Sequence, residues 1–171
     1  MRFFTPELYV RFNSPDEEEA DRANEEWETA LVGYRKHLDQ IWGQIPDDGK
    51  QLADLCLHDA ELLGPKQAVE PLFRPAIVIL PLIQEDHLVT LIYMLSEPVR
   101  EHPAAQDWPF SRLRTHWLYD EIDVDGEQRG MFVHRVLLSD GRVLEIPFVS
   151  AMIRSVALSP PTGGEAKRTS A

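Results

Sequence analysis

The sequence lacks most of the short signatures that announce a chemistry. With one cysteine, Cys56, in 171 residues, it can form no internal disulfide and holds no C-x-x-C pair for redox work or zinc. It has no G-x-x-x-x-G-K-S/T loop, no G-x-G-x-x-G, no H-E-x-x-H and no G-x-S-x-G. Those gaps argue against nucleotide-dependent, zinc-peptidase and esterase chemistry of the familiar kinds. Long apolar runs are missing too. The longest, Ala76 to Ile83, is broken by Pro81 and is far short of the roughly 20 residues that span a bilayer. Positive charge is also scarce: 17 basic residues against 29 acidic ones give a net charge of −12. Such a surface repels phosphate backbones, so nucleic acid is not the expected partner. Cys56 sits between Leu55 and Leu57 and reads as a buried, inert thiol. One cysteine and no cationic-then-apolar leader point to a reducing cytoplasm.

What is present suits one α+β domain over residues 1–158, helical over 1–47 and mainly β over 50–158. The Pro-, Gly- and small-polar composition of 159–171 reads as a disordered tail. Thr5-Pro6-Glu7 is a helix start, with a cap, a first-turn proline and an acid at the positive helix end, and it predicts a short helix to about Phe12. Ser14-Pro15-Asp16-Glu17 repeats the signal, read as a capping box opening a long helix from Pro15 to about Gln44 that Pro46-Asp47-Asp48-Gly49 ends. Ala20, Trp27, Tyr34 and Ile41 recur every seven residues, and Leu31, Leu38 and Ile45 complete one apolar stripe. That stripe should lie on the protein's own sheet or on a neighbouring helix, leaving Glu18, Glu25, Glu26 and Glu28 in solvent.

After an expected helical turn over Gln51–Leu55, the pattern becomes one of strands. Leu57–Leu63 is the first, stopped by Gly64-Pro65. Leu72–Ile83 and Asp86–Leu95 form a hairpin whose first arm, with Pro75 and Pro81, should be an edge or carry a bulge. Glu97–Phe110 reads as a loop. Arg114–Val124 and Gly130–Leu138 pair across Asp125-Gly126, and Gly130–Leu138 pairs with Arg142–Phe148 across Ser139-Asp140-Gly141. Ala151–Leu158 is a final strand. Tight turns between neighbours imply a mainly antiparallel sheet with the helices packed on it.

The opening Phe3-Phe4-Thr5-Pro6-Glu7-Leu8-Tyr9 resembles the start of a family of uncharacterised bacterial proteins beginning Phe/Tyr-Phe-Thr-x-Glu-Leu-Tyr. Leu57-His58-Asp59-Ala60-Glu61, Trp117-Leu118-Tyr119-Asp120-Glu121 and His134-Arg135 with the residues to Gly141 are similar to segments of such proteins. The resemblance spans about half the chain and brings no chemistry with it.

The candidate site is a set of polar residues placed in apolar strands: His58, Asp59, Glu61, His116, Tyr119, Asp120, Glu121, His134 and Arg135. Strand alternation puts His58 with Ala60 and Asp59 with Glu61. It also puts His116 with Leu118 and Asp120, and His134 with Phe132 and Val136. If the strands adjoin, His58 or Asp59 should touch the Trp117–Glu121 or His134–Arg135 segments. Convergence of His58, His116, Asp120 and His134 would then suit a divalent metal, and so a small metal-dependent hydrolase using His58, Asp59, His116 and His134. The same residues can equally serve as hydrogen-bonded core groups, and no cofactor is implied. The leading expectation is a binding protein whose acidic helix faces a basic protein partner, such as an immunity-type antagonist of a basic toxin. A structural subunit that self-associates through the helix stripe is the other alternative.

Overall fold

The computed structural model describes residues 1–63, 67–69, 76–111, 113–124 and 130–158. Gly64-Pro65, Pro75, Asp125-Gly126 and the expected tail at 159–171 lie outside these residues. Helix α1 is Pro6–Phe12, and the Thr5 hydroxyl accepts the Leu8 N–H at 3.2 Å, as its capping signal requires. Helix α2 is Glu17–Ile41 and is capped by Asp16 instead of Ser14. The Ser14 hydroxyl is engaged by the Asp16 N–H, which leaves the Asp16 carboxylate to accept from Glu18 and Glu19. An anion suits that helix end better than a hydroxyl. The apolar stripe has the expected phase, since Trp27 and Ile41 are buried and Tyr34 and Leu38 half-buried, while Glu18 and Glu25 are exposed. Helix α2 ends at Ile41, ahead of Pro46, but Asp47-Asp48-Gly49 is more than a stop. It opens α3, Asp47–Ala53, because Pro46 is extended and two acids fit a first turn.

Among the described residues eight strands follow: β1 Glu61–Leu62, β2 Gln67–Val69, β3 Ile77–Gln84, β4 His87–Leu95, β5 Arg100–His102, β6 Trp117–Val124, β7 Phe132–Leu138 and β8 Val143–Ala157. They form one antiparallel sheet in the order β1-β3-β4-β8-β7-β6, with β2 beside β3 and β5 beside β8. The fold is α+β. The β3–β4 hairpin closes at Gln84↔His87, with Glu85 left-handed at φ 53°. The β7–β8 turn uses Gly141 at φ 84°, where a Cβ would stand 2.5 Å from the Trp108 ring, so glycine is needed there for both reasons.

Four expectations fail for physical reasons. The strand over Leu57–Leu63 shrinks to Glu61–Leu62, because His58-Asp59 turns the chain with Asp59 at φ 65°, a conformation aspartate tolerates. The 97–110 loop contains β5, whose pairing to β8 is carried by charged partners that read as loop residues. The segments 142–148 and 151–158 are one 15-residue strand. Pro81 neither bulges β3 nor puts it at the rim, since its register with β4 is unbroken. Its carbonyl accepts from Leu63, so its missing N–H falls on the sparsely paired side away from β4.

The sheet curls until its two ends meet. Asp59 N–H donates to the Trp117 carbonyl (2.8 Å), Trp117 N–H to Ala60 (2.9 Å) and Leu62 N–H to Thr115 (2.8 Å). The inner face holds the main core, including Leu80, Leu82, Leu91, Tyr93, Trp117, Ile122, Leu144, Ile146 and Phe148, closed by Leu52 of α3 and by Ile41 and Ile45. A second, aromatic cluster of Phe4, Leu8, Ala23 and Trp27 joins α1 and α2 to the outer face of β6. Among the described residues no helix is long and apolar enough to cross a membrane.

The turn before β8 carries a pH signature. Burial raises the Asp140 pKa, but hydrogen bonds from Arg142 (2.6 and 2.9 Å) and Thr115 (3.0 Å) more than offset this and hold it below the usual carboxylate range. A lowered folded pKa means the unfolded chain takes up the proton first as pH falls. The stabilisation is present above the ordinary carboxylate range and is lost on acidification through the lowered value. Urea midpoints of Asp140→Asn should therefore fall less steeply with acid than those of the parent.

Candidate functional site

The candidate residues lie around β6, and a bulge there decides which face each takes. Leu118 is the extra residue between the pairs Trp117↔Leu138 and Tyr119↔Leu137, so the expected alternation breaks at that point. Trp117 and Asp120 consequently share the inner face, with Trp117 Nε1 donating to Asp120 at 2.8 Å. Leu118, Tyr119 and Glu121 turn to the outer face, against the aromatic layer. The expected grouping of His116 with Leu118 and Asp120 therefore fails at Asp120, while His116 and Leu118 stay on the side of Tyr9 and Phe110.

On the inner face Tyr93, His134 and Asp120 form a buried chain. Tyr93 Oη lies 2.9 Å from His134 Nδ1, and His134 Nε2 lies 3.0 Å from Asp120. His134 does share its face with Phe132 and Val136, as strand alternation from that segment requires. With the carboxylate accepting, Nε2 carries the proton, and Nδ1 accepts from the tyrosine hydroxyl. Burial pushes the Tyr93 pKa well up, which keeps the hydroxyl a donor. Every member is satisfied, and Tyr93 and His134 are wholly buried, so the chain is built to specify the core. Tyr93→Phe should cost about 1–3 kcal/mol in chemical unfolding by stranding Nδ1. A neutral result would show that Nδ1 finds another donor.

On the outer face Glu121 is buried, and its two oxygens accept the main-chain N–H groups of Arg2, Phe3 and Phe4 at 2.8, 2.7 and 2.7 Å. The carboxylate thus takes the place of a backbone partner for the segment entering α1. Helix α2 covers the rim of β6: Tyr34 Oη accepts the Ile122 N–H at 2.7 Å, and His37 meets Asp123 at 2.9 Å. Arg135 lies between Asp123 and Glu145 at 3.5 and 3.8 Å.

His58 and Asp59 stand at the seam where the sheet closes. His58 Nδ1 lies 2.7 Å from the Leu118 carbonyl, and the ring packs on Tyr119 at 4.9 Å. Asp59 reaches Trp117 through its N–H, so the expected contact exists with that segment, on the outer side of the sheet. The pKa of Tyr9 is raised by burial and then by Asp59. That of Tyr119 is raised by burial, then by Tyr9 and Asp59. Glu61 pairs with His116 along the backbone and with Arg114 at 3.4 Å. Beside them Tyr9, Phe110, Leu113, Arg114, His116 and Ser139 line an open cleft of about 430 Å³.

The nine residues therefore occupy three settings and not one cavity. His134 and Asp120 face inward, while His58, Asp59 and Tyr119 face outward across β6 and His116 lies at the seam. Convergence of His58, His116, Asp120 and His134 does not occur. Among the described residues no group of three histidine, cysteine or acidic side chains could hold a metal ion. Cys56, expected to be buried, is exposed. Two participants were not anticipated. Tyr93 is the inward hydroxyl on an otherwise apolar β4 face, and Tyr9 lies in a helix read only for its caps. No protein-family model, curated protein or solved structure matches the chain.

A different surface gathers charge. Glu17, Asp21, Glu25 and Glu28 of α2, with Glu18 beside them, fall within an arc of roughly 100° and extend about 16 Å along the helix. All five are exposed, and none has an ion pair among the described residues. Glu19 and Glu26, around the helix from them, are held by Arg11 and Arg22.

Proposed function

We propose that the protein is a binding module that presents the acidic face of α2 to a basic protein partner. The observation that carries this reading is the row of unneutralised carboxylates, set on a helix whose apolar side is already held by the aromatic layer. Such a helix is rigid, so its charges are fixed in place before the partner arrives. Complementary charge speeds encounter and excludes wrong partners more than it adds raw affinity. An antagonist that covers the basic working surface of a toxin is the concrete form of this activity. Self-association through the stripe is less favoured, because Ala23, Trp27 and Ile41 are buried within the molecule.

The test uses a Lys/Arg-rich probe peptide and two variants with the same change in charge. One carries Glu17→Gln, Asp21→Asn, Glu25→Gln and Glu28→Gln. The other carries Glu7→Gln, Asp54→Asn, Glu85→Gln and Asp107→Asn, all exposed and outside α2. The first should bind roughly tenfold more weakly than the second at low salt. The difference should fade as the Debye length contracts from about 30 Å to 8 Å between 0.01 M and physiological salt. Equal losses would mean that net charge alone matters, and the reading would fail.

A further inference from the structure

Among the described residues one rim of the sheet is protected and another is open. At β6 the rim is closed by Asp59, Ala60 and the Tyr34 hydroxyl. At β8 pairing with β7 ends at Phe132↔Phe148, while β8 runs on to Ala157 with β4 alone beside it. Ala151 N–H points away from β4 and is taken by Asp48 at 2.8 Å. Strand geometry repeats every two residues, so the N–H and C=O groups of Ile153, Ser155 and Ala157 point the same way. Among the described residues no strand pairs with that side. Open edges of this kind usually carry lysine, proline or a bulge as protection. This one carries a single charge, Arg154, between Met152 and Val156.

The adjoining outer face has the same character. Register places Ile77, Ile79, Pro81 and Ile83 beside Met94, Ile92, Thr90 and Leu88, and these beside Ser150, Met152, Arg154 and Val156. Met94, Met152 and Val156 are exposed, and the helices gather at β6 and on the inner side of β8 instead. No carboxylate lies in these three rows, although the chain carries 29 acidic residues.

We propose that this rim joins a second copy of the same chain, with two β8 strands pairing antiparallel about a two-fold axis at Ser155. Three observations favour a copy over other occupants. An antiparallel edge is self-complementary, so one strand supplies both donors and acceptors. Two chains of charge −12 repel least where the three rows beside the joint hold no carboxylate. The chain's own 159–171 segment contains no large apolar residue and so offers nothing to cover such a face. The axis lies at Ser155 because Ala151 is already engaged. That register sets Arg154 opposite Val156 of the copy and Met152 opposite Leu158. The joined outer faces would then make one continuous apolar surface.

The register makes the test specific. Light scattering and sedimentation of the full chain should show a dimer that dissociates on dilution. Val156→Lys sets like charges opposite each other twice across the axis and should weaken the dimer roughly tenfold. Val156→Glu meets Arg154 and should hold or tighten it, and Val156→Lys with Arg154→Glu should recover it. Because Val156 is exposed, none of these changes disturbs a core. In a Cys56→Ser background, Ser155→Cys should form a disulfide between copies on mild oxidation, because paired residues there stand about 5.5 Å apart. A monomer at every concentration overturns the proposal. So does a dimer that ignores the charge at 156 and forms no crosslink at 155. Edge amides protected in a monomer only while 159–171 is present would assign the rim to the chain's own tail, and the proposal would also fail.

Discussion

Trp27→Ala should destabilise the protein by about 3–5 kcal/mol, the usual cost of emptying a large aromatic site. The ring is 6% exposed and sits 4.3 Å from Tyr119, 5.2 Å from Phe4 and 5.5 Å from Phe12. It is the shared contact of α1, α2 and β6, so little around it can collapse without moving a whole element. Urea unfolding followed by far-ultraviolet circular dichroism measures the loss. Hydrogen exchange should show α1 amides opening first. A cost below about 1 kcal/mol would mean that the N-terminal layer contributes little to the fold.

Glu121→Leu should be comparably severe, at about 3 kcal/mol or more. Three N–H groups lose their acceptor at once, and each buried unsatisfied donor costs about 1–3 kcal/mol, less where water reaches it. Glu121→Gln separates charge from geometry. The amide oxygen can keep the bonds to Phe3 and Phe4, which share one carboxylate oxygen, but its nitrogen then faces the Arg2 N–H. The expected order of stability is Glu, then Gln, then Leu. If Leu matches Glu, the segment before α1 is held by its aromatic rings alone. Combined with Trp27→Ala, either substitution should fall short of additivity, since both act on the same docked layer.

Local signals were legible in the sequence wherever the chain talks to itself over a few residues. The Thr5 cap, the phase of the α2 stripe and the Ser139-Asp140-Gly141 turn all depend on neighbours within one or two turns. The failures share the opposite cause. Nothing near Leu118 announces a bulge, because the extra residue is set by how Trp117 and Tyr119 meet Leu138 and Leu137 across the strand. The unity of β8 was hidden because its two halves serve different partners, β7 and β4. His58-Asp59 reads as strand because Leu57 and Ala60 are apolar, yet the turn between them is imposed by closure of the sheet against Trp117. The candidate site suffered most. Polar residues in apolar strands were rightly expected to need partners, as Asp120 with His134 illustrates. Which face each would take rested on one bulge and one left-handed aspartate.

The double service of β8 also bears on synthesis. Residues 87–95 leave the ribosome with only the β3 arm to pair with, and their other edge waits for 148–157, some 50–70 residues later. At about 5–20 residues per second, that interval is several seconds. Throughout it the nascent hairpin displays Leu91 and Tyr93 on one side, Ile92 and Met94 on the other, and an unpaired edge between them. By contrast β6, β7 and β8 form a run of neighbours that can close as soon as each emerges. A chain stalled between Leu95 and Phe148 is thus the form most exposed to aggregation, and holdase chaperones have the most to protect there.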